Sequence, residues 1–96
     1  MNDHQENRNQ TLSSWTVYIL RCSDNSLYTG ITNNLERRLK EHNDTSNNSK
    51  GAKYTRARQP VSLAYTETVN NRAAASQREY QIKQLTRKEK IILCNR

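Results

Sequence analysis

Arg38 and His42 stand in the stretch LERRLKEH, where a helix puts them on one side with Leu35 and Leu39. Leu35, Leu39 and His42 follow i, i+4, i+7, and Arg38 falls inside that stripe at i+3. Arg37, Lys40 and Glu41 point the other way, and Arg37 with Glu41 makes an ordinary solvent-facing i, i+4 pair. A guanidinium on a core-directed face either snorkels past the edge of the stripe or must reach a partner or an opening. A later stretch repeats the conflict with opposite sign: Ala75, Glu79 and Ile82 are spaced i, i+4, i+7, so a carboxylate interrupts an apolar stripe. A buried carboxylate is costly unless it is paired or holds a cation. Glu79 therefore either pairs with Arg38 or binds a hard cation. Mg²⁺ commonly takes only one or two protein carboxylates and fills its other positions with water and phosphate oxygens.

The aromatic residues are five tyrosines and one tryptophan, with no phenylalanine. Tyr18 and Tyr28 fall on neighbouring strands. They either pack in the core with hydroxyls satisfied at its edge, or hold and deprotonate a water. The second role needs positive charge nearby to lower a phenol pKa near ~10, and Arg38, Lys53 or a bound metal can supply it. Strand parity adds a condition. A two-residue turn at Asp24-Asn25 pairs Tyr28 with Arg21 and sends Tyr18 to the opposite face. A three-residue loop, Asp24 to Ser26, pairs Cys22 with Tyr28 and brings the two phenols to one face; cooperation between them predicts that register. Gly30 lies inside a strand, where its missing side chain lets another group or a substrate backbone come close. Lys50, Lys53, Arg56 and Arg58, with Tyr54 among them, form a basic stretch that either contacts phosphates or is simply solvated.

Trp15 to Cys22 is β-branched, aromatic and nearly continuous in apolar character, which reads as a central strand covered on both faces. Ser23 to Ser26 is a turn in which Asn25 can take positive φ, and Leu27 to Ile31 completes a hairpin. Asn33 caps a helix running to about His42, with Glu36 three residues on. Asn43 to Gly51 is a polar loop. Ala52 to Arg58 is basic and irregular, and Pro60 stops it. Val61, Leu63 and Tyr65 alternate with Ser62, Ala64 and Thr66, giving a third strand with one apolar face. Asn70 or Asn71 caps a helix from Arg72 to Thr86, and Arg87 to Cys94 forms a closing helix. The order is ββαβαα, an α+β domain with a three-stranded sheet.

The 96 residues suit one domain, and 32% hydrophobic content makes a thin core. Residues 1–14 hold only Met1 and Leu12 as apolar side chains, so they are expected to be a disordered tail before a domain spanning 15–96. Sixteen Lys+Arg against nine Asp+Glu give a net charge of +7, which favours nucleic acid or an acidic membrane surface as partner. Cys22 and Cys94 lack the spacing of a zinc site, and a reducing compartment is expected. No signal peptide or spanning segment is read, so the expected location is the cytoplasm.

Taken in order, VYIL (Val17 to Leu20), YTG (Tyr28 to Gly30), LERRLKEH (Leu35 to His42) and the later helical Glu79 resemble the GIY-YIG nuclease superfamily. GAKYTRARQP and SQREYQIKQLTRKEK are similar to its small bacterial single-domain branch. Val17 stands where the first motif glycine is found. The resemblance implies a three-stranded antiparallel sheet flanked by helices, and hydrolysis of DNA phosphodiesters with one Mg²⁺ or Mn²⁺ ion and no organic cofactor. It places Tyr18 and Tyr28 as the tyrosines that position or activate water and Arg38 as the arginine on the scissile phosphate. Glu79 would be the metal ligand, and His42 a further catalytic-site histidine. It leaves open which tyrosine is the base. Lys53, Tyr54, Arg56 and Arg58 would contact DNA. Larger relatives carry a separate DNA-recognition domain, so target choice here would come from DNA structure, from a protein partner, or be loose, with repair or recombination as the expected setting. The rival expectations are a binding module of the same fold without turnover, and a protein-interaction domain.

Overall fold

The computed structural model describes residues 14–46 and 50–96. The expected tail falls almost entirely on residues 1–13, outside that description, as do residues 47–49 of the polar loop. The elements are β1 (Trp15–Arg21), β2 (Leu27–Thr32), α1 (Leu35–His42), α2 (Lys53–Arg56), β3 (Ser62–Val69), α3 (Arg72–Lys83) and α4 (Arg87–Cys94). The sheet is antiparallel with order β2-β1-β3, so the hydrophobic strand β1 is central.

Alternation along β1 divides the core in two. Val17 and Ile19 pack with Ala75, Ile82 and Leu93 of α3 and α4 on one face. Tyr18, Leu20 and Cys22 pack with Val61, Tyr28, Leu35 and Leu39 on the other, beneath α1. Both cysteines are free thiols. No helix among the described residues is long and apolar enough to cross a membrane.

The hairpin keeps the expected parity but in a different register. Tyr18 lies opposite Gly30 and Leu20 opposite Tyr28, so Tyr28 pairs two residues earlier than expected. The three-residue loop is Ser23 to Asn25, closed by Cys22 N–H donating to Ser26 O and Asn25 N–H donating to Cys22 O, both at 2.9 Å. Asn25 takes φ of 67°, the left-handed position that ends such a loop. Asp24 accepts from the Ser26 amide and hydroxyl and from Arg58, which pins the turn.

Other boundaries move for local reasons. Asn34, not Asn33, caps α1 by accepting from Arg37 N–H at 3.1 Å, and it receives its own support from Thr32 Oγ1. α3 is capped by Asn71 and stops at Lys83 rather than Thr86. Thr86 instead caps α4, in a reciprocal box with Glu89. The stretch expected to be irregular contains the one-turn α2, inserted between α1 and β3 and built around the buried Thr55. β3 does not have one apolar face. Tyr65 pairs with Ile19 but Leu63 pairs with Leu20, so a bulge at Ala64 switches sides. Tyr65 therefore joins the α3/α4 side, while Val61 is sent to the Tyr18 side.

Candidate active site

The Tyr18 face of the sheet is where the chemically capable side chains meet. Tyr18 needs a bare strand opposite it. A Cβ on Gly30 would lie 2.5 Å from the Tyr18 hydroxyl and 2.7 Å from Cζ, so the missing side chain makes room for this ring. Tyr18 is 1% exposed, and its hydroxyl shares a hydrogen bond with His42 Nε2 at 2.8 Å. His42, fully buried at the end of α1, bonds through Nδ1 to Thr55 Oγ1 at 2.8 Å. Thr55 Oγ1 in turn donates to the Ala52 carbonyl at 3.0 Å.

Tyr28 stands beside this chain, its ring centre 6.5 Å from Tyr18 and 5.2 Å from His42. Tyr54 stacks on Tyr28 at 5.9 Å, and the Arg58 guanidinium lies 3.9 Å above the Tyr54 ring. Tyr28 is half-buried and, among the described residues, its hydroxyl makes no hydrogen bond.

Arg38 takes the opening expected from its place on the α1 stripe. Its side chain is 25% exposed, and Nη1 donates to Glu41 at 2.9 Å and to the Lys50 carbonyl at 2.7 Å. Glu41 thus leans toward Arg38, and its contact with Arg37 is looser at 3.9 Å. Nη1 has spent both hydrogens, which leaves Nη2 and Nε for other acceptors. The Arg38 charge also lies close enough to the Tyr18 hydroxyl to act on it. Gly51 makes the Lys50 carbonyl available. A Cβ there would lie 2.6 Å from the Glu41 carbonyl oxygen, so only glycine lets this loop lie against the last turn of α1.

Glu79 does not pair with Arg38. Its carboxylate, 23% exposed, meets Lys83 one turn along α3 at 3.1 Å. It is still close enough for its charge to act on the Tyr18 hydroxyl. Among the described residues no group of three or more His, Cys, Asp or Glu is placed to hold a metal. The donor set fits an ion that needs one carboxylate and takes its remaining ligands from water and phosphate. Glu79 is accessible, and its partner is a flexible, half-exposed lysine that can swing away.

The electrostatics follow from burial. Desolvation pushes the Tyr18 pKa up to about 12, and Arg38 beside it only partly opposes this. Burial, helped by the Arg38 charge, pushes His42 down to about 4, so it is neutral at pH 7. Burial works against the Arg38 charge, but the hydrogen bond to Glu41 and the nearby Tyr18 hydroxyl outweigh it and raise its basicity.

The residues expected to bind nucleic acid divide. Lys53 is exposed, with no side-chain partner among the described residues. Arg56 reaches the Gly51 carbonyl at 3.3 Å. Arg58 is engaged by Asp24 and by the Tyr54 carbonyl, each at 3.0 Å, so it braces the turn and the ring stack. Thr55, Gly51 and Glu41 were not marked by sequence reasoning. A glycine in a chain that has only two is the one signal available for Gly51; a lone threonine in a basic run offers none.

A guanidinium, two phenols and a neutral imidazole thus stand together on one side of a three-stranded antiparallel sheet, with a partly exposed carboxylate on α3. The chain belongs to the GIY-YIG family: the model of the GIY-YIG catalytic domain matches residues 14–91. Among its relatives is a UPF0213 protein of Clostridium perfringens, 58% identical over 77 residues, covering 80% of this chain and 78% of the relative. Another, from Desulfotalea psychrophila, is 54% identical over 81 residues, covering 82% and 71% respectively. The solution structure of a Bacillus halodurans UPF0213 protein aligns with TM-score 0.53 at 41% identity, covering 85% of this chain and 83% of that one. An E. faecalis protein structure aligns with TM-score 0.54 at 44% identity, covering 81% and 79%.

Proposed function

We propose that the chain is a metal-dependent DNA endonuclease that hydrolyses phosphodiester bonds by in-line attack of water. The observation that carries the reading is that Arg38 and Glu79, from two separate helices, each lie close enough to act electrostatically on the Tyr18 hydroxyl at one end of a buried hydrogen-bonded chain. The net charge of +7 suits a polyanionic substrate.

In this reading Arg38 donates from Nη2 and Nε to a non-bridging oxygen of the scissile phosphate and offsets the charge that develops there. Tyr28 orients the attacking water, because its hydroxyl is uncommitted and its ring is half-buried at the pocket edge. Tyr18 acts differently. Being 1% exposed and bonded to His42, it shapes the floor of the pocket beneath Arg38 rather than touching water. Glu79 would hold one Mg²⁺ or Mn²⁺ ion, which supplies Lewis-acid polarisation of the phosphate when bound. The exposed Lys53 and, more weakly, Arg56 contact the flanking DNA backbone. We place the activity in the bacterial cytoplasm, on branched or single-stranded DNA met in repair or recombination, with a protein partner contributing to target choice.

The test is cleavage of labelled single-stranded, duplex, flap and junction DNA, with Mg²⁺, with Mn²⁺ and with EDTA. The wild type is expected to cut at least one substrate only with the metal. Arg38→Ala and Glu79→Gln are each expected to lose roughly 10²-fold or more in rate, the scale of removing a group that meets developing charge. Metal-independent retention of DNA without cutting would replace the proposal with a binding module. Wild-type rates in both variants would remove the assigned roles.

A further inference from the structure

The hydrogen-bonded chain beneath the pocket has a direction that its inner end imposes. A backbone carbonyl can only accept. Thr55 Oγ1 donates to the Ala52 carbonyl, 3.0 Å away. Thr55 has one proton, so toward His42 it must accept, and the 2.8 Å contact requires hydrogen on Nδ1. Nε2 then carries a lone pair and accepts the Tyr18 proton across 2.8 Å. The reverse arrangement fails. With hydrogen on Nε2, Nδ1 would need a proton from Thr55, whose single proton is on the Ala52 carbonyl, and the Tyr18 proton would lose its acceptor at a site 1% exposed. No buried side-chain nitrogen or oxygen among the described residues lacks a partner, which agrees with a fully satisfied chain.

We infer that Thr55 is a positioning residue: by accepting from His42 Nδ1–H it fixes the imidazole tautomer and turns the Tyr18 proton inward, onto His42 Nε2. The effect on chemistry is indirect, because Thr55 is fully buried and touches neither water nor substrate. It presets the orientation of the Tyr18 hydroxyl before DNA arrives, at a site where reorientation would otherwise oppose transition-state binding. α2 exists to present this hydroxyl: its only buried residue is Thr55, held between the Ala52 carbonyl and His42. The tautomer assignment stands on hydrogen bonding alone; its catalytic consequence rests on the endonuclease reading.

Two measurements separate these layers. Long-range ¹H–¹⁵N NMR of the wild-type chain at pH 7 should show His42 protonated on Nδ1 with Nε2 bare. A wild-type His42 protonated on Nε2 overturns the inference, whether or not the protein cuts DNA. Thr55→Val keeps the shape and removes the acceptor. It should move His42 wholly or partly to the Nε2–H tautomer. The kcat for DNA cleavage should fall roughly 10- to 100-fold, the scale for losing an orienting partner of a site histidine, with KM changed little. Thr55→Ser restores the acceptor and should recover the wild-type tautomer and most of kcat. An unchanged tautomer in Thr55→Val, or no recovery in a folded Thr55→Ser protein, refutes the role. If no form of the protein cleaves DNA, the endonuclease reading fails, while the wild-type tautomer still decides this one.

Discussion

Replacing Gly30 with alanine sets two physical effects against each other, and their sizes predict the outcome. Gly30 has no positive φ, so its backbone suits alanine. Removing a glycine from a strand should by itself stabilise the fold by roughly 0.5–1 kcal/mol. Against this, the new methyl would lie 2.5 Å from the Tyr18 hydroxyl, 2.7 Å from Cζ and 3.2 Å from Cε1. The ring must move, and it is packed on a face where it is only 1% exposed. Overpacking of a core typically costs about 1–3 kcal/mol. Moving the ring also breaks or bends the bond to His42, which adds about 1 kcal/mol. The net expectation is a destabilisation of roughly 1–3 kcal/mol, which lowers Tm by roughly 5–20 °C for a domain of this size. Thermal unfolding followed by circular dichroism reads this directly. A Gly30→Ala protein with an unchanged or raised Tm would refute the packing of Tyr18 across β2, and the site geometry with it.

Two further outcomes follow from the same contacts. His42 is at about 4 in the folded chain against an ordinary 6.5, so between these values the unfolded chain binds a proton that the folded one does not. Stability should therefore be full above pH 7 and fall by about 2 kcal/mol by pH 5, a slope that urea titrations would show and that is absent if NMR finds His42 titrating near its ordinary value. Lys83→Ala removes the 3.1 Å partner of Glu79. Such pairs are worth about 0.2–1 kcal/mol, so the Mg²⁺ concentration for half-maximal cleavage should drop by roughly 1.5- to 5-fold; a rise would mean that Lys83 helps to hold the ion or the DNA.

Local chemistry accounts for what was legible without coordinates. The apolar run of β1, the i, i+4, i+7 stripe of Leu35, Leu39 and His42, and the span of α4 follow from periodicities of 2 and 3.6 that the structure keeps. The positive φ of Asn25 follows from the same kind of local preference. The conflict on that stripe is resolved by an Arg38 side chain that leaves the core face and bonds Glu41 and the Lys50 carbonyl. Where two local solutions were nearly equal in energy, sequence could not choose. Asn33 and Asn34 are both good caps, and Thr32 settles the choice by supporting Asn34. Thr86 can end one helix or begin the next, and Glu89 decides for the second.

The sequence by itself determined the element types, the basic character and the set of side chains able to do chemistry, because these depend on neighbours a few positions away. Tertiary structure alone decided which of them meet. The hairpin register that lays Tyr18 over Gly30, the bulge at Ala64, the seat that Gly51 gives the Lys50 carbonyl, and the bond from His42 to Thr55 all join residues distant along the chain. The physical reason is that close packing and hydrogen-bond satisfaction are properties of groups brought together in space, and no periodicity along the chain encodes them.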